Sequence, residues 1–323
     1  MEDVSCDHCG SPQHSYVTRQ TDLLHNTTTE YFQIVQCTNC GLNYTNPRPT
    51  AGEIGQFYPS QYSFYGADTK FRALFRKLSA WLVNSPLGFV FDAIPQVGRR
   101  LAVFVKPKLL DPVRNYYQKG GRGAFLDIGC GSGLLAHYWG EAGSLNAYQH
   151  LTSVAGVEVS DSARKHLEDR GILVWKDLSS VPADLKFSVI RMNWSLEHVH
   201  SPSEYFSFIS SRLESNGLAI IAVPNFEGLI YKLSKDCVEL PIHLYHFRAK
   251  DIVSYANRYK LNISSFCTYS YPQMFNFAAQ LGLLPEQFFE NMNISEAKRF
   301  QYILSKFDAV GYGNDMIFTL KKN

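Results

Sequence analysis

The sequence predicts an α/β protein: a mostly parallel sheet with helices on both faces and a small cysteine-built module at the N-terminus. Three observations carry this expectation. From Gly123 onward short apolar runs alternate with amphipathic segments, as in a parallel sheet buried on both sides. The first apolar run ends in a glycine-rich turn, Leu126-Asp-Ile-Gly-Cys-Gly-Ser-Gly-Leu134. Four of the seven cysteines fall as two C-x-x-C pairs, Cys6/Cys9 and Cys37/Cys40.

A chain of 323 residues, 45% hydrophobic and 14% aromatic, has the material for one large core and a small module, and excludes disorder along its whole length. The net charge of +2 argues against a broad nucleic-acid footprint. Residues 1–20 contain no apolar stretch of a secretory signal. The run Leu78–Phe91 is 14 residues long and interrupted by Asn84, Ser85 and Pro86, short of the roughly 20 apolar residues that span a bilayer. A soluble, cytoplasmic protein is expected.

The elements follow in order. Two C-x-x-C knuckles supply the four thiolates of a closed tetrahedral Zn²⁺ site, which is structural rather than catalytic. The competing readings are a redox pair or chance. Each knuckle ends in glycine, Gly10 and Gly41, where the backbone turns tightly, and Tyr31–Gln36 reads as a strand leading into the second. His8 and His14 are spare ligands at most. Asn46-Pro-Arg-Pro-Thr50 closes a module over residues 1–50.

Residues 51–118 form a linker. It carries Phe57, Tyr58, Tyr62, Phe64 and Tyr65, then helical pieces broken by Pro86, Pro95, Pro107 and Pro112. Basic residues (Lys70, Arg72, Arg76, Lys77) precede apolar ones (Leu78, Trp81, Leu82, Val83). A helical lid is the favoured reading, and a membrane-surface or lipid-substrate contact the sharper one.

Residues 119–323 hold the main domain. Strands are expected at Ala124–Ile128, Val154–Val159, Ile172–Trp175, Phe187–Met192, Leu218–Val223, Leu261–Ser270 and Met316–Leu320, with a helical insertion over about 271–310. Ser160 opens a helix that stops at Gly171. Ser201-Pro-Ser-Glu204, a capping-box sequence with proline at the first helical position, opens another that ends at Gly217.

The glycine turn has the form G-x-G-x-G, neither the dinucleotide fingerprint nor a phosphate-binding loop. At the carboxyl end of the first strand it still lets a ligand approach the backbone closely, and Glu158, ending the second strand, is placed to accept from two ribose hydroxyls. Gly129 and Glu158 lie 29 residues apart, and the excess over a common unit falls in Gly143–Ser153, read as a surface insertion.

Residues 123–223 resemble a class I S-adenosylmethionine-dependent methyltransferase, on the D-x-G-x-G-x-G turn, the acidic end of strand two, and Phe187-Ser-Val-Ile190 leading to Trp194-Ser-Leu-Glu-His198. The wider frame, with its two cysteine pairs, Asn46-Pro-Arg-Pro49, Val223-Pro-Asn225 and Leu240-Pro-Ile-His-Leu-Tyr-His-Phe247, resembles bacterial zinc-ribbon methyltransferases of sugar and surface-polysaccharide biosynthesis. The resemblance implies a Rossmann-like sheet with an antiparallel last strand. It implies that Gly129, Gly131 and Gly133 carry the methionine moiety, with Asp127 fixing its ammonium directly or through water, and that Glu158 holds the ribose. Asp177 and Leu178 would meet the adenine, unless Asp177 is simply a solvated loop carboxylate. Asn193 and Trp194 would line the sulfonium pocket. Cys130 fills the turn.

Methyl transfer to a hydroxyl releases a proton, so a base is useful. His198, His243 and His246 are candidates, with His243 as base and His246 as its orienting partner. The expected acceptor is the hydroxyl of a nucleotide sugar or surface glycan. Alternatives are sugar carbon methylation, RNA methylation with a zinc module, and a non-catalytic cofactor-binding scaffold. Related carbon-methylating enzymes usually carry a further C-terminal domain, which the roughly 100 residues after strand five are not expected to supply complete. Asn193-Trp-Ser-Leu replaces the N-P-P-Y of amino methylation, and the intact cofactor positions count against a scaffold.

Overall fold

The computed structural model describes residues 1–59, 70–107, 111–133, 145–236, 238–285 and 291–322. Its strands are β1 (His14–Gln20), β2 (Phe32–Cys37), β3 (Asn43–Thr45), β4 (Phe125–Ile128), β5 (Val154–Val157), β6 (Leu173–Trp175), β7 (Phe187–Asn193), β8 (Leu213–Pro224), β9 (Tyr245–His246), β10 (Leu261–Tyr269) and β11 (Asp315–Lys322). The helices are α1 (Lys70–Asn84), α2 (Pro95–Ala102), α3 (Pro112–Gln118), α4 (Asp161–Glu168), α5 (Pro202–Arg212), α6 (Leu229–Leu233), α7 (Ala249–Arg258), α8 (Phe275–Gln280) and α9 (Ile294–Ala309).

The main sheet runs β10-β11-β8-β7-β4-β5-β6. Strands β4 to β8 are parallel; β11 is antiparallel to β8, and β10 to β11. This is the expected Rossmann-like methyltransferase sheet. Strands β4 and β7 are buried on both faces because helices cover both. The order reverses at β4, so the carboxyl ends of β4 and β7 flank the crevice where ligands bind in open α/β sheets.

Two of the four expected helix breaks act as helix starts, and Pro86 lies just past the end of α1. Pro95 and Pro112 occupy the first turns of α2 and α3, where a missing N–H costs nothing. Ser160 caps α4 by accepting from the Ala163 N–H, and Ser201 caps α5 by accepting from Glu204. The positions Tyr62, Phe64 and Tyr65, the side chains of Lys70, Arg72, Arg76 and Lys77, and part of the helical insertion lie outside the described residues.

Two expectations are corrected. The helix opened by Ser201 ends at Arg212, not Gly217, and β8 begins at once. Gly217 sits within the strand, where a Cβ would lie 2.7 Å from the Ser188 carbonyl oxygen. The glycine permits close strand approach instead of stopping a helix. In the second case, the supposed surface insertion exposes Gln149, His150 and Ser153 but also sends two residues into the core. Leu145 and Tyr148 are fully buried, and the Tyr148 ring meets Phe125 edge-on at 5.3 Å.

The N-terminal strands belong to a second sheet, β1-β2-β3-β9. Its last member comes from far along the chain: Asn43 pairs with His246 and Tyr44 with Tyr245. Asp7, inside the first knuckle, reaches the start of α5, accepting from the Ser203 N–H at 2.9 Å and the Ser201 hydroxyl at 2.8 Å. It also accepts from Tyr255 at 2.7 Å. A carboxylate at a helix N-terminus is favourably placed against the helix dipole.

Candidate active site and metal centre

The glycine turn leaves β4 in the left-handed region at all three expected positions, with φ of +73° at Gly129, +53° at Gly131 and +67° at Gly133. A Cβ on Gly129 would lie 2.4 Å from that of Ser195, so the turn and the segment after β7 are in close apposition. The Ser195 hydroxyl donates to the Ile128 carbonyl at 2.9 Å.

Glu158 is buried beside this turn. One carboxylate oxygen accepts from the Gly131 N–H at 2.8 Å and the other from Ser160 N–H at 2.8 Å. Burial pushes its pKa up, and these backbone donors pull against that rise. The residue expected to hold the ribose is thus fixed to the loop expected to hold the methionine.

Asp127 also lies in the crevice wall, but both of its oxygens are held by Arg191 of β7, at 2.9 and 2.6 Å. A ligand ammonium would be a second partner for this carboxylate. The guanidinium packs over Phe125 and Tyr148, at 5.1 and 5.4 Å from the ring centroids. Sequence reasoning passed over Arg191. Its signal was a lone arginine within the apolar strand Phe187–Met192, which needs a buried carboxylate.

Asp177 caps a short turn, accepting from the Ser179 hydroxyl and from the Ser180 hydroxyl and N–H. Those donors hold its pKa at about 2. Leu178 is buried beneath it. Asn193 ends β7, and Trp194 follows in a left-handed conformation, φ +47°, with its N–H on the Ala222 carbonyl. All the expected cofactor-side residues therefore lie along the carboxyl ends of β4 to β7.

The histidines gather next to this edge. His198 and His243 meet edge to face, with ring centroids 4.6 Å apart. His198 places Nδ1 3.0 Å from the Ile242 carbonyl oxygen and 3.3 Å from the Tyr58 hydroxyl. Burial and neighbouring His243 pull its pKa down to about 3, and burial also lowers that of His243. Both rings are therefore neutral near pH 7. Glu239 approaches His243 Nε2 to 3.8 Å and His25 Nε2 to 3.6 Å. Burial raises the Glu239 pKa, but His243, His25 and His198 outweigh it and bring it to about 2.

His246 does not pack under the His243 ring. Its Nε2 lies 3.1 Å from the Thr45 hydroxyl, which donates to the His243 carbonyl at 2.8 Å. Because that hydroxyl spends its proton on the carbonyl, His246 is the donor to it. The link to His243 runs through the main chain and a residue of the N-terminal sheet. Glu197 was also missed as a site residue: it is buried, and among the described residues neither carboxylate oxygen has a hydrogen-bond partner.

The two knuckles have matching backbone bonds. Cys6 N–H donates to Ser11 O and Gly10 N–H to Cys6 O; Cys37 N–H donates to Leu42 O and Gly41 N–H to Cys37 O. The four sulfurs lie within 4.8 Å of one another, with Cys6–Cys40 at 3.4 Å and Cys9–Cys37 at 3.5 Å. A tetrahedron with metal–sulfur arms of about 2.3 Å has edges of about 3.8 Å, so the donor set fits Zn²⁺. Among the described residues this cluster holds the four cysteines and no histidine, and His8 places Nε2 2.9 Å from the Ser254 hydroxyl.

The sheet order with its reversed strand and the glycine turn with its acidic partner define a class I methyltransferase fold. Residues 100–265, just over half of the chain, match the family described as "Methyltransferase domain". The chain belongs to that family. Similar curated proteins include the ubiquinone biosynthesis O-methyltransferases of Actinobacillus pleuropneumoniae serotype 7 and Haemophilus ducreyi. They are 28% identical over 135 and 132 residues, and each match covers 36% of this chain and 54% of the relative. The chain thus spans about half the length of the curated relatives it matches. Among solved structures, an Archaeoglobus fulgidus SAM-dependent methyltransferase is 19% identical, with 73% of this chain and 99% of that chain covered and a TM-score of 0.44. One from Clostridium acetobutylicum is 13% identical, with 79% and 98% covered and a TM-score of 0.41.

Proposed function

We propose that this protein moves the methyl group of S-adenosylmethionine to a hydroxyl oxygen of a small acceptor, bound between the glycine turn and the His198–His243 pair. The observation that carries the reading is the juxtaposition of two neutral imidazoles with the segment that touches Gly129. The donor supplies an electrophilic methyl. The acceptor oxygen bonds to it as the carbon–sulfur bond breaks and the pair of electrons goes to sulfur. His243 accepts the hydroxyl proton, and the Glu239 carboxylate stabilises the resulting imidazolium. Gly129, Gly131, Gly133, Glu158, Asn193 and Trp194 hold and align the donor, with Asp127, Asp177 and Leu178 at its edges. Alignment of this kind contributes about 7–11 kcal/mol in favourable cases. Cys6, Cys9, Cys37 and Cys40 bind a structural Zn²⁺ in a module over residues 1–50, and residues 51–118 form a lid.

A sugar or glycan acceptor is supported by the resemblance of the cysteine pairs and the 240–247 motif to sugar-methylating enzymes. A second reading, an apolar phenolic acceptor, draws on the ubiquinone-biosynthesis relatives and on the exposed apolar side chains of Phe75, Leu78, Trp81, Leu87, Phe89 and Val90. Labelled-methyl transfer assayed against nucleotide sugars, lipid-linked glycans and hydroxyl-bearing ubiquinone intermediates separates the two. Transfer to none of them, with donor binding intact, would reject both acceptor classes.

A further inference from the structure

One ring nitrogen each from His198 and His243 and one carboxylate oxygen from Glu197 lie within 4.8 Å of one another. Glu197 Oε1 is 3.9 Å from His198 Nε2. This cluster is separate from the four cysteines and differs from them in chemistry. Its most telling member is Glu197, with 1% of its surface exposed and neither oxygen hydrogen-bonded among the described residues. A buried carboxyl without a partner costs free energy that a cation would recover.

The surroundings match those of a metal-binding histidine. Such a ring commonly donates its second N–H to a backbone carbonyl, which fixes the tautomer and frees the other nitrogen as a ligand. His198 does this with Nδ1 on the Ile242 carbonyl. His243 is held by its main chain, with its N–H on the Glu239 carbonyl and its own carbonyl accepting from Thr45. Glu239 Oε2 lies 3.8 Å from His243 Nε2 and adds a second negative charge. Two imidazoles and one carboxylate favour a first-row transition-metal dication, with coordination positions left open.

We propose that Glu197, His198 and His243 form a divalent transition-metal site on the acceptor side of the donor crevice. The site rests on the proposed hydroxyl transfer and changes the part of His243 from base to ligand. A hydroxyl entering an open coordination position ionises more readily, and its proton passes to Glu239 or to solvent. The neighbouring turn at Ser195, packed on Gly129, places that hydroxyl beside the bound donor.

The test uses the full chain with its cysteine site loaded with Zn²⁺ and weakly held ions removed by a chelator. Mn²⁺ alone is then titrated and the free ion followed by electron paramagnetic resonance, since hard Mn²⁺ competes poorly for four thiolates. Wild type should bind one Mn²⁺ per chain at micromolar concentrations. Glu197→Gln, nearly isosteric, should weaken binding by about 100-fold or more at unchanged zinc content and circular dichroism. His243→Asn gives a second variant, which should lose binding likewise. No saturable Mn²⁺ binding by wild type, or equal binding by both variants, overturns the site. Methyl transfer is measured separately with and without Mn²⁺. Transfer by metal-free protein at the full rate would restore His243 as base, whereas Mn²⁺ binding without transfer to any hydroxyl acceptor would remove the acceptor reading and leave the metal site standing.

Discussion

Arg191 and Asp127 form a bidentate ion pair across the adjacent strands β7 and β4, both almost wholly buried at 3% and 5% side-chain exposure. The pair ties the first strand of the sheet to the fourth at the level of the donor crevice. Arg191→Met would leave Asp127 as an uncompensated buried charge and should cost about 3–5 kcal/mol. Replacing both residues by apolar ones of similar volume should recover much of that loss. Urea unfolding of the two variants and the parent measures it, and equal destabilisation by single and double variants would contradict this account.

Freshly reduced protein should contain about one Zn²⁺ per chain on the four cysteines. Cys37→Ser should lose it, and the damage should not stay within the first 50 residues. Because Asn43 and Tyr44 pair with His246 and Tyr245, hydrogen exchange should rise in the 242–247 segment as well. Exchange confined to residues 1–50 would show the two sheets to be independent.

Glu158→Ala should weaken S-adenosylmethionine binding by about 1.5–3 kcal/mol, the worth of hydrogen bonds to a charged group. In calorimetry that is roughly a 10- to 150-fold rise in Kd. Unchanged affinity would place the ribose elsewhere.

His243→Ala should leave donor affinity near normal while turnover falls by about 10²–10⁴-fold. His246→Ala and Thr45→Val should cost less, since they act on His243 only through its main-chain carbonyl. Steady-state rates with saturating donor decide the order. A larger loss in Thr45→Val than in His243→Ala would remove His243 from the chemistry.

Burial raises the pKa of Asp315 to about 7 and of Asp308 to about 6. Tyr269 and Trp194 oppose the rise at Asp315, and Glu239 and Asp308 add to it. Ser270 opposes it at Asp308. The unfolded value is about 3.9, so the native state holds protons that the unfolded chain has released. The contribution is fully present below about pH 4 and is lost as pH rises through about 6 to 7. Asp315→Asn should therefore lose less stability than the parent between about pH 5 and pH 8, by on the order of 2 kcal/mol. Parallel urea midpoints for the two proteins across that range would show that Asp315 does not titrate there.

Much of the candidate cofactor side was legible in the residues because its signals are local. A glycine turn, an acid ending the next strand and cysteines three positions apart each act through backbone geometry within a few positions. Arg191 in β7 and Glu197 in the short turn after it carry no signal of their own, because a buried charge has no meaning until its partner is known. Leu145 and Tyr148 were placed on the surface because sequence spacing alone cannot show that a segment folds back under the glycine turn.

The sequence by itself determined the α/β sheet, its glycine turn and the two cysteine knuckles, since periodicity and tight-turn chemistry depend on neighbours along the chain. Only the tertiary structure decided that Tyr245 and His246 complete the N-terminal sheet, that Asp7 caps α5, and that Glu197, His198 and His243 converge. Those relationships join residues from 45 to 203 positions apart, apart from the adjacent pair Glu197 and His198. They exist because folding buries polar groups that must then be satisfied by whatever the fold brings near.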